Sequence, residues 1–190
     1  MIRRILVTSL LIAAAAPTFA AEKYDIDPTH TQVIFSWNHF GFSNPSASLE
    51  KITGDFELDT ADLTKSTISV TLPLDGLHTG VPKLDEHLKS PDFFDAAKYP
   101  DITFKSTKVE KSGASGLKIT GNLTVHGVTK SIVLDGKVNK IGDNPMVKKA
   151  SAGFDATTTI KRSDFGVGKY VPQVSDEIPV RITFDSHAAK

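Results

Sequence analysis

LKITGNLTVHGVTKSIVLDGKV, residues 117–138, decides the fold class. Leu117, Ile119, Gly121, Leu123 and Val125 fall on one side of an extended chain, with polar residues between them. That two-residue period belongs to a half-buried strand. His126-Gly127 is a short link, and Ile132, Leu134 and Val138 share a face of the returning run. Two alternating runs joined so tightly read as an antiparallel hairpin.

The same pattern extends in both directions. Downstream, Ala152, Phe154, Ala156, Thr158 and Ile160 alternate, and after a glycine-punctuated loop Ile178, Val180, Ile182 and Phe184 do so again. Upstream, Ile102 and Phe104 open a run that ends at the turn Lys111-Ser112-Gly113-Ala114-Ser115-Gly116. Before it come Ile68, Val70, Leu72 and Leu74, then Ile52, Gly54, Phe56 and Leu58, then Val33, Phe35 and Trp37. Pro73 marks a strand end or an edge. About eight strands with turn signals between them, and no βαβ crossover, predict an all-β fold. Eight antiparallel strands in sequence order suggest an up-and-down barrel, which removes its own edges by closing. A barrel of this size can enclose one small ligand.

One segment breaks the alternation: HLKSPDFFDAAKYPDITF, His87 to Phe104. Ser90 suits an N-cap and Pro91 a first helical turn, while Tyr99-Pro100 stops a helix. A short helix opening at Pro91 is therefore expected, with Phe93, Phe94 and Ala97 on one side. It is either a plug for the end of a β core or a lid over a ligand cavity. Small inward positions bear on that choice: Gly54, Gly121, Gly136, Ala152 and Ala156 would leave volume that Phe35, Trp37, Phe56, Phe104 and Phe154 could line. They could equally mark strand crossings and bulges.

The N-terminus reads as a leader. Arg3 and Arg4 precede the apolar run Ile5 to Ala16, and Thr18-Phe19-Ala20 supplies small residues for cleavage after Ala20. Residues 1–20 are thus expected to be a signal peptide and residues 21–190 one domain, exported to the periplasm. The apolar run is short for a membrane anchor, and no later stretch is long enough to cross a bilayer, so stable membrane insertion is not expected. The chain has no cysteine, so the domain must be held by burial rather than disulfides. Lys+Arg and Asp+Glu are equal at 22 each, and no basic stripe interleaves with aromatics, which argues against nucleic acid as a partner.

No Gly-x-Ser-x-Gly elbow and no glycine-rich phosphate loop is present. The histidines stand at 30, 39, 78, 87, 126 and 187, none at the close spacing of a metal site, and only His78 and His87 could converge. No catalytic residue and no metal ligand is assigned. Arg162 ends an apolar strand beside Ser163-Asp164-Phe165-Gly166, so its guanidinium either anchors a loop or meets a ligand head group, with Asp164 as its bidentate partner. Asn38 and His39, after the first strand, are further polar candidates near a mouth.

Several stretches resemble the YceI-like family, periplasmic proteins named for binding polyisoprenoids. They are Ile26-Asp27-Pro28-Thr29-His30-Thr31, Val33-Ile34-Phe35-Ser36 running to His39, Gly54-Asp55-Phe56, His87 to Asp95 with Tyr99-Pro100, Gly121 to Lys130, and Arg162 to Gly166. The resemblance implies a lipocalin-like barrel of eight antiparallel strands with a helical segment. It also implies an apolar tunnel that holds an isoprenoid chain such as a quinone or polyprenyl lipid, and often a homodimer. It brings no catalytic set and no required cofactor. On that reading Phe35, Trp37, Phe40, Phe42, Phe56, Leu88, Phe93, Phe94, Tyr99, Phe104 and Phe154 contact the lipid, and Asn38, His39, Arg162 and Asp164 are head-group candidates. Transport, storage or a stress response would each fit. The alternatives are a carrier of fatty-acyl or amide lipids, an enzyme acting on an isoprenoid head group, and a scaffold with a packed interior.

Overall fold

The computed structural model describes residues 21–189, so the expected leader lies outside the described residues. In chain order the elements are β1 (Glu22–Ile26), β2 (Gln32–Ser36), β3 (Ser46–Leu49), β4 (Thr53–Leu58), β5 (Thr67–Pro73), β6 (Leu77–His78) and α1 (Pro82–Lys89). Then follow β7 (Asp101–Ser112), β8 (Gly116–Val125), β9 (Val128–Asn144), β10 (Lys149–Lys161) and β11 (Glu177–Ala188). All pairings are antiparallel.

These segments make an eight-stranded closed barrel, because three of its strands are bent. β1 and β2 lie end to end along one edge of β11, through Ile26↔Ser186 and Gln32↔Thr183. β3 and β4 continue that arrangement, β2 pairing with β3 and β1 with β4. β5 and β6 form the third bent strand, broken after Pro73 by a single 3-10 turn, Leu74–Gly76. Proline has no N–H to donate onward, so a strand ends there at little cost. From β5 the sheet runs through β7, β8, β9 and β10 to β11, and the β1–β11 pairing closes it. Two segments were not legible as strands. β1, EKYDI, buries only Tyr24, and β3, SASL, is short and rich in serine.

Alternation sets the inner face. In the mouth half Trp37, Leu72, Leu88, Ile102, Phe165 and Ile178 pack together. Phe104, Leu134 and Ala156 hold the middle. Tyr24, Phe56, Leu58, Ala152 and Phe184 close the far end. The small inward positions divide between the two readings. A Cβ on Gly121 would stand 2.3 Å from the Phe104 ring, so this glycine makes room for a neighbour; Gly136 and Ala156 line the cavity, although a Cβ on Gly136 would stand 3.1 Å from Ile119.

The helix is displaced from its expected place. It starts at Pro82 and ends at Lys89, and Ser90 caps its C-terminus instead of opening a new one. The Ser90 N–H and Oγ both donate to the His87 carbonyl, at 3.2 and 2.7 Å. The last turn of a helix leaves carbonyls free. Here Phe94 N–H takes the Leu88 carbonyl at 3.0 Å and Ala96 N–H takes that of Lys89 at 2.9 Å. Residues 91–99 therefore fold back as tight turns on the helix end, with Asp95 at φ +48°.

The 117–138 stretch forms the expected hairpin, with Val125 opposite Val128. His126 (φ +51°) and Gly127 (φ +74°) make a turn with both central residues left-handed, the twist that suits a two-residue hairpin.

Candidate functional site: an apolar tunnel

The barrel encloses a cavity of about 430 Å³, within the range of small-molecule sites. Inward residues of every barrel strand line it: Val33, Phe35 and Trp37, Ile52 and Phe56, Ile68 and Val70, Ile102 and Phe104, Leu117 to Val125, Ile132 and Leu134, Phe154 to Ile160, and Ile178 to Phe184. Among the described residues no buried side-chain nitrogen or oxygen lacks a partner. The wall therefore asks for an apolar occupant rather than a hydrogen-bonding one.

Four lining residues that also reach solvent, His39, Phe40, His87 and Tyr170, gather at one end and mark the mouth. Three elements frame it: the 39–43 turn, α1 with the turns after it, and the loop after β10. The far end lies beside Leu63, Ser66 and Thr67. There the Phe56 ring meets Phe154 and Phe184 edge-on at 5.9 and 5.2 Å.

Of the lipid-contact candidates, Phe35, Trp37, Phe40, Phe56, Leu88, Phe93, Phe94, Phe104 and Phe154 border the cavity. Phe94 stands edge-on to Phe35 at 6.2 Å, and Phe93 lies between His87 and Tyr170 at 5.0 and 6.3 Å. Two candidates lie elsewhere. Phe42 is 92% exposed, because the turn that carries it points it outward. Tyr99 packs on the hairpin turn: its ring is 4.8 Å from that of His126, and a Cβ on Gly127 would approach it to 2.5 Å. Gly166 meets His126 from the other loop, at 3.3 Å for a Cβ there. The β8–β9 turn thus touches both loops of the mouth.

The polar candidates separate in the same way. His39 borders the cavity. Asn38 does not; its side chain accepts from Gly41 N–H at 2.8 Å and donates to Asn44 at 3.1 Å, which shapes the turn. Arg162 contributes to the wall, but four of its five guanidinium N–H groups are taken by backbone carbonyls. Nε donates to the Ser175 carbonyl at 2.8 Å, Nη1 to those of Val167 and Lys169 at 2.6 and 2.9 Å, and Nη2 to that of Val174 at 2.9 Å. It is the anchor of the loop. Burial pulls its pKa below the usual arginine value, against the charge of Asp176. The expected pairing with Asp164 is absent. The 3-10 turn Arg162–Phe165 sends Asp164 to solvent while Arg162 turns back beneath the loop. Asp176 is the acid of this corner, accepting from Ser163 N–H at 2.9 Å and Ser163 Oγ at 2.7 Å. Burial disfavours its charge, but those bonds and Arg162 outweigh burial and lower its pKa.

His78 and His87 do not converge. His78 Nδ1 stands 3.6 Å from Asp85, and His87 turns to the cavity. Leu84 and His87, with Leu88, are wall residues at helical spacing in α1, a signal that the sequence did carry. Val167, Tyr170 and Val174 also reach the wall, from a loop with no periodicity to reveal them.

No described helix is long and apolar enough to cross a membrane.

Comparison with known proteins places this barrel. The chain is 36% identical over 170 residues to a UPF0312 protein of Vibrio parahaemolyticus, covering 88% of this chain and 89% of that one. It is 35% identical over 177 residues to Protein YceI of Escherichia coli, covering 93% and 92%. The crystal structure of the Campylobacter jejuni YCEI protein superposes with a TM-score of 0.74 at 32% identity, over 80% of this chain and 90% of that one. BcnA of Burkholderia cenocepacia has the same fold, with a TM-score of 0.76 at 23% identity over 85% and 99%. So does a polyisoprenoid binding domain from Saccharophagus degradans, with 0.65 at 15% over 89% and 99%. The YceI-like domain model itself matches residues 24–186, nearly the whole barrel from Tyr24 in the first strand to Ser186 in the last, and the chain belongs to that family.

Proposed function

We propose that this protein binds a long-chain isoprenoid lipid, of quinone or polyprenyl type, and carries or stores it in the periplasm after export on the leader of residues 1–20. The observation that carries this reading is the tunnel: an almost wholly apolar space inside the barrel, with His39, Phe40, His87 and Tyr170 at its mouth. Burying apolar surface yields about 25 cal/mol per Å², so even a few isoprene units gain useful affinity. Ordering a flexible chain offsets part of that gain. The tail occupies the space between Phe35 and Phe154, and the head group lies at the mouth near His39 and His87. Family membership and the shared fold with a polyisoprenoid binding domain support the same class of ligand.

Binding is favoured over catalysis on a lipid head group because Arg162, the charged head-group candidate, is buried and donates four of its five N–H groups to backbone carbonyls.

The test is mass spectrometry of an organic extract from protein purified without detergent. A stoichiometric isoprenoid species is the expected result. A fatty-acyl or amide species would keep the tunnel and overturn the isoprenoid assignment. Protein that is empty and takes up no added lipid would overturn binding altogether.

A further inference from the structure

Asp27 and His30 belong to the Asp27-Pro28-Thr29-His30 motif but take no part in the tunnel. They sit in the link between β1 and β2, against Asp185 and His187 of β11. Ligand atoms of Asp27, His30 and Asp185 all lie within 4.8 Å of one another. Asp27 Oδ2 is 2.8 Å from His30 Nδ1 and 3.3 Å from His187 Nε2. A four-coordinate zinc ion with bonds of about 2.0 Å sets its ligand atoms about 3.3 Å apart. We propose that Asp27, His30 and Asp185 form a three-residue site for a divalent transition-metal cation of the zinc type, with its fourth position open to solvent.

The hydrogen bonds around the cluster point the donor atoms inward. Ser151 Oγ lies 2.8 Å from His187 Nδ1, and His187 Nε2–H donates to Asp27 Oδ2 at 3.3 Å, so His187 steadies the Asp27 carboxylate from behind. Asp185 Oδ1 accepts from Ser186 N–H at 2.7 Å, which orients that carboxylate and leaves Oδ2 free. Such partners behind the ligands fix their orientation at metal sites. An imidazole with two carboxylates suits zinc, nickel or copper better than calcium or magnesium, which favour all-oxygen sets. His30 is 70% exposed and provides the entrance, while Asp27 and His187 are 15% and 16% exposed. On binding, the metal displaces the proton from His30 Nδ1 to solvent, as metal ligation generally does. The spacing in sequence hid this set, because its halves come from opposite ends of the chain.

The cation would tie the link after β1 to β11 at the seam that closes the barrel. A ligand that binds only the folded state raises its stability by mass action.

The test is titration of untagged, chelator-stripped protein with zinc chloride by calorimetry, with melting followed by circular dichroism. Stoichiometric binding that raises the melting temperature is expected. His30→Ala removes an exposed side chain and Asp185→Asn is isosteric, so both leave the metal-free melting temperature within a few degrees and abolish binding. Ser151→Ala removes only the partner of His187 Nδ1 and weakens binding about tenfold. No binding by the wild type, or binding of unchanged strength by His30→Ala and Asp185→Asn, overturns the site. Lipid content, measured on the same samples, is unaffected by these variants, so the site stands or falls separately from the tunnel's ligand.

Discussion

At the tunnel mouth the loop of residues 162–176 and the segment of residues 79–100 touch through Phe93 and Tyr170 and through the Lys169–Asp92 ion pair. They are held by different forces. The first is braced from beneath by one buried guanidinium bonded to four of its own carbonyls, and by Asp176 across Ser163. The second is fixed at its entrance by Asp85, which accepts from Thr79 N–H at 2.7 Å and Thr79 Oγ1 at 2.5 Å. Beyond that it leans on the cavity with half-buried Leu84, Phe93 and Phe94 and buried Leu88. A loop that hangs on directional bonds in the interior is rigid, because each bond lost leaves a buried carbonyl without a partner. A segment whose side chains face a cavity has fewer atoms behind it and gains contacts when the cavity fills. The difference separates the two: the 162–176 loop is the frame of the mouth, and the 79–100 segment is the wall with room to repack around an occupant.

Substitutions can break this contrast. The largest effect is expected from Arg162→Ala, which strips donors from four carbonyls at once and should cost about 4 kcal/mol of unfolding free energy in a urea titration. Arg162→Lys should recover little, since an ammonium cannot reproduce the planar fork. If Arg162→Ala melts like the wild type, the frame does not depend on its guanidinium. Next comes the double variant Phe93→Ala with Phe94→Ala. It should cost about 2 kcal/mol of stability, because both rings are only half-buried, yet weaken retention of a bound lipid at least tenfold. Ready unfolding with full lipid retention would make that wall structural.

Acid sharpens the contrast more gently. The bonds from Thr79 hold the Asp85 carboxyl below its ordinary pKa of 3.8. A carboxylate with a depressed folded-state pKa contributes its full stabilisation above the unfolded value and loses it as pH falls through the folded one. The α1 entrance should therefore loosen below about pH 4. Hydrogen exchange should show faster exchange there at low pH, and Asp85→Asn should exchange fast already at neutral pH. The smallest effect belongs to Asp164→Asn. Its side chain points to solvent, so a change within about 0.5 kcal/mol is expected, whereas Asp176→Asn should exceed it in the same melt.

The barrel was legible because its wall has one rule: apolar residues two apart face inward. Val33, Phe35 and Trp37 at one end of the chain and Ile178, Val180 and Ile182 at the other all reach the cavity as that rule requires. The rule fails for segments too short or too polar to alternate, which is why β1 and β3 escaped it. The helix was misplaced because two Pro-led starts stand nine residues apart, at Pro82 and Pro91. Only the first is followed by Leu84 and Leu88 at helical spacing, and that apolar pair decides the matter. Arg162 illustrates the deeper limit. Its residue type fits both a ligand contact and a loop anchor, and only the position of distant backbone carbonyls separates them. Asp164 is near Arg162 in sequence, whereas Asp176 is near it in space. The Asp27 and His187 contact is longer-range still and left no local trace.

The pairing of β1 with β11 also bears on how the chain reaches its native state. Tyr24 stands opposite Ala188, so the ring closes only when residues near the two ends of the described chain meet. Joining the ends of so long a loop carries a large entropy cost before any contact at the seam offsets it. Chains dominated by such distant pairings fold over milliseconds to seconds, far slower than helical bundles. Until Glu177–Ala188 has been made and released, the first strand has no closing partner and the tunnel has no complete wall. An enclosed space for an occupant is thereby a late product of folding, available only after the last strand has joined the first.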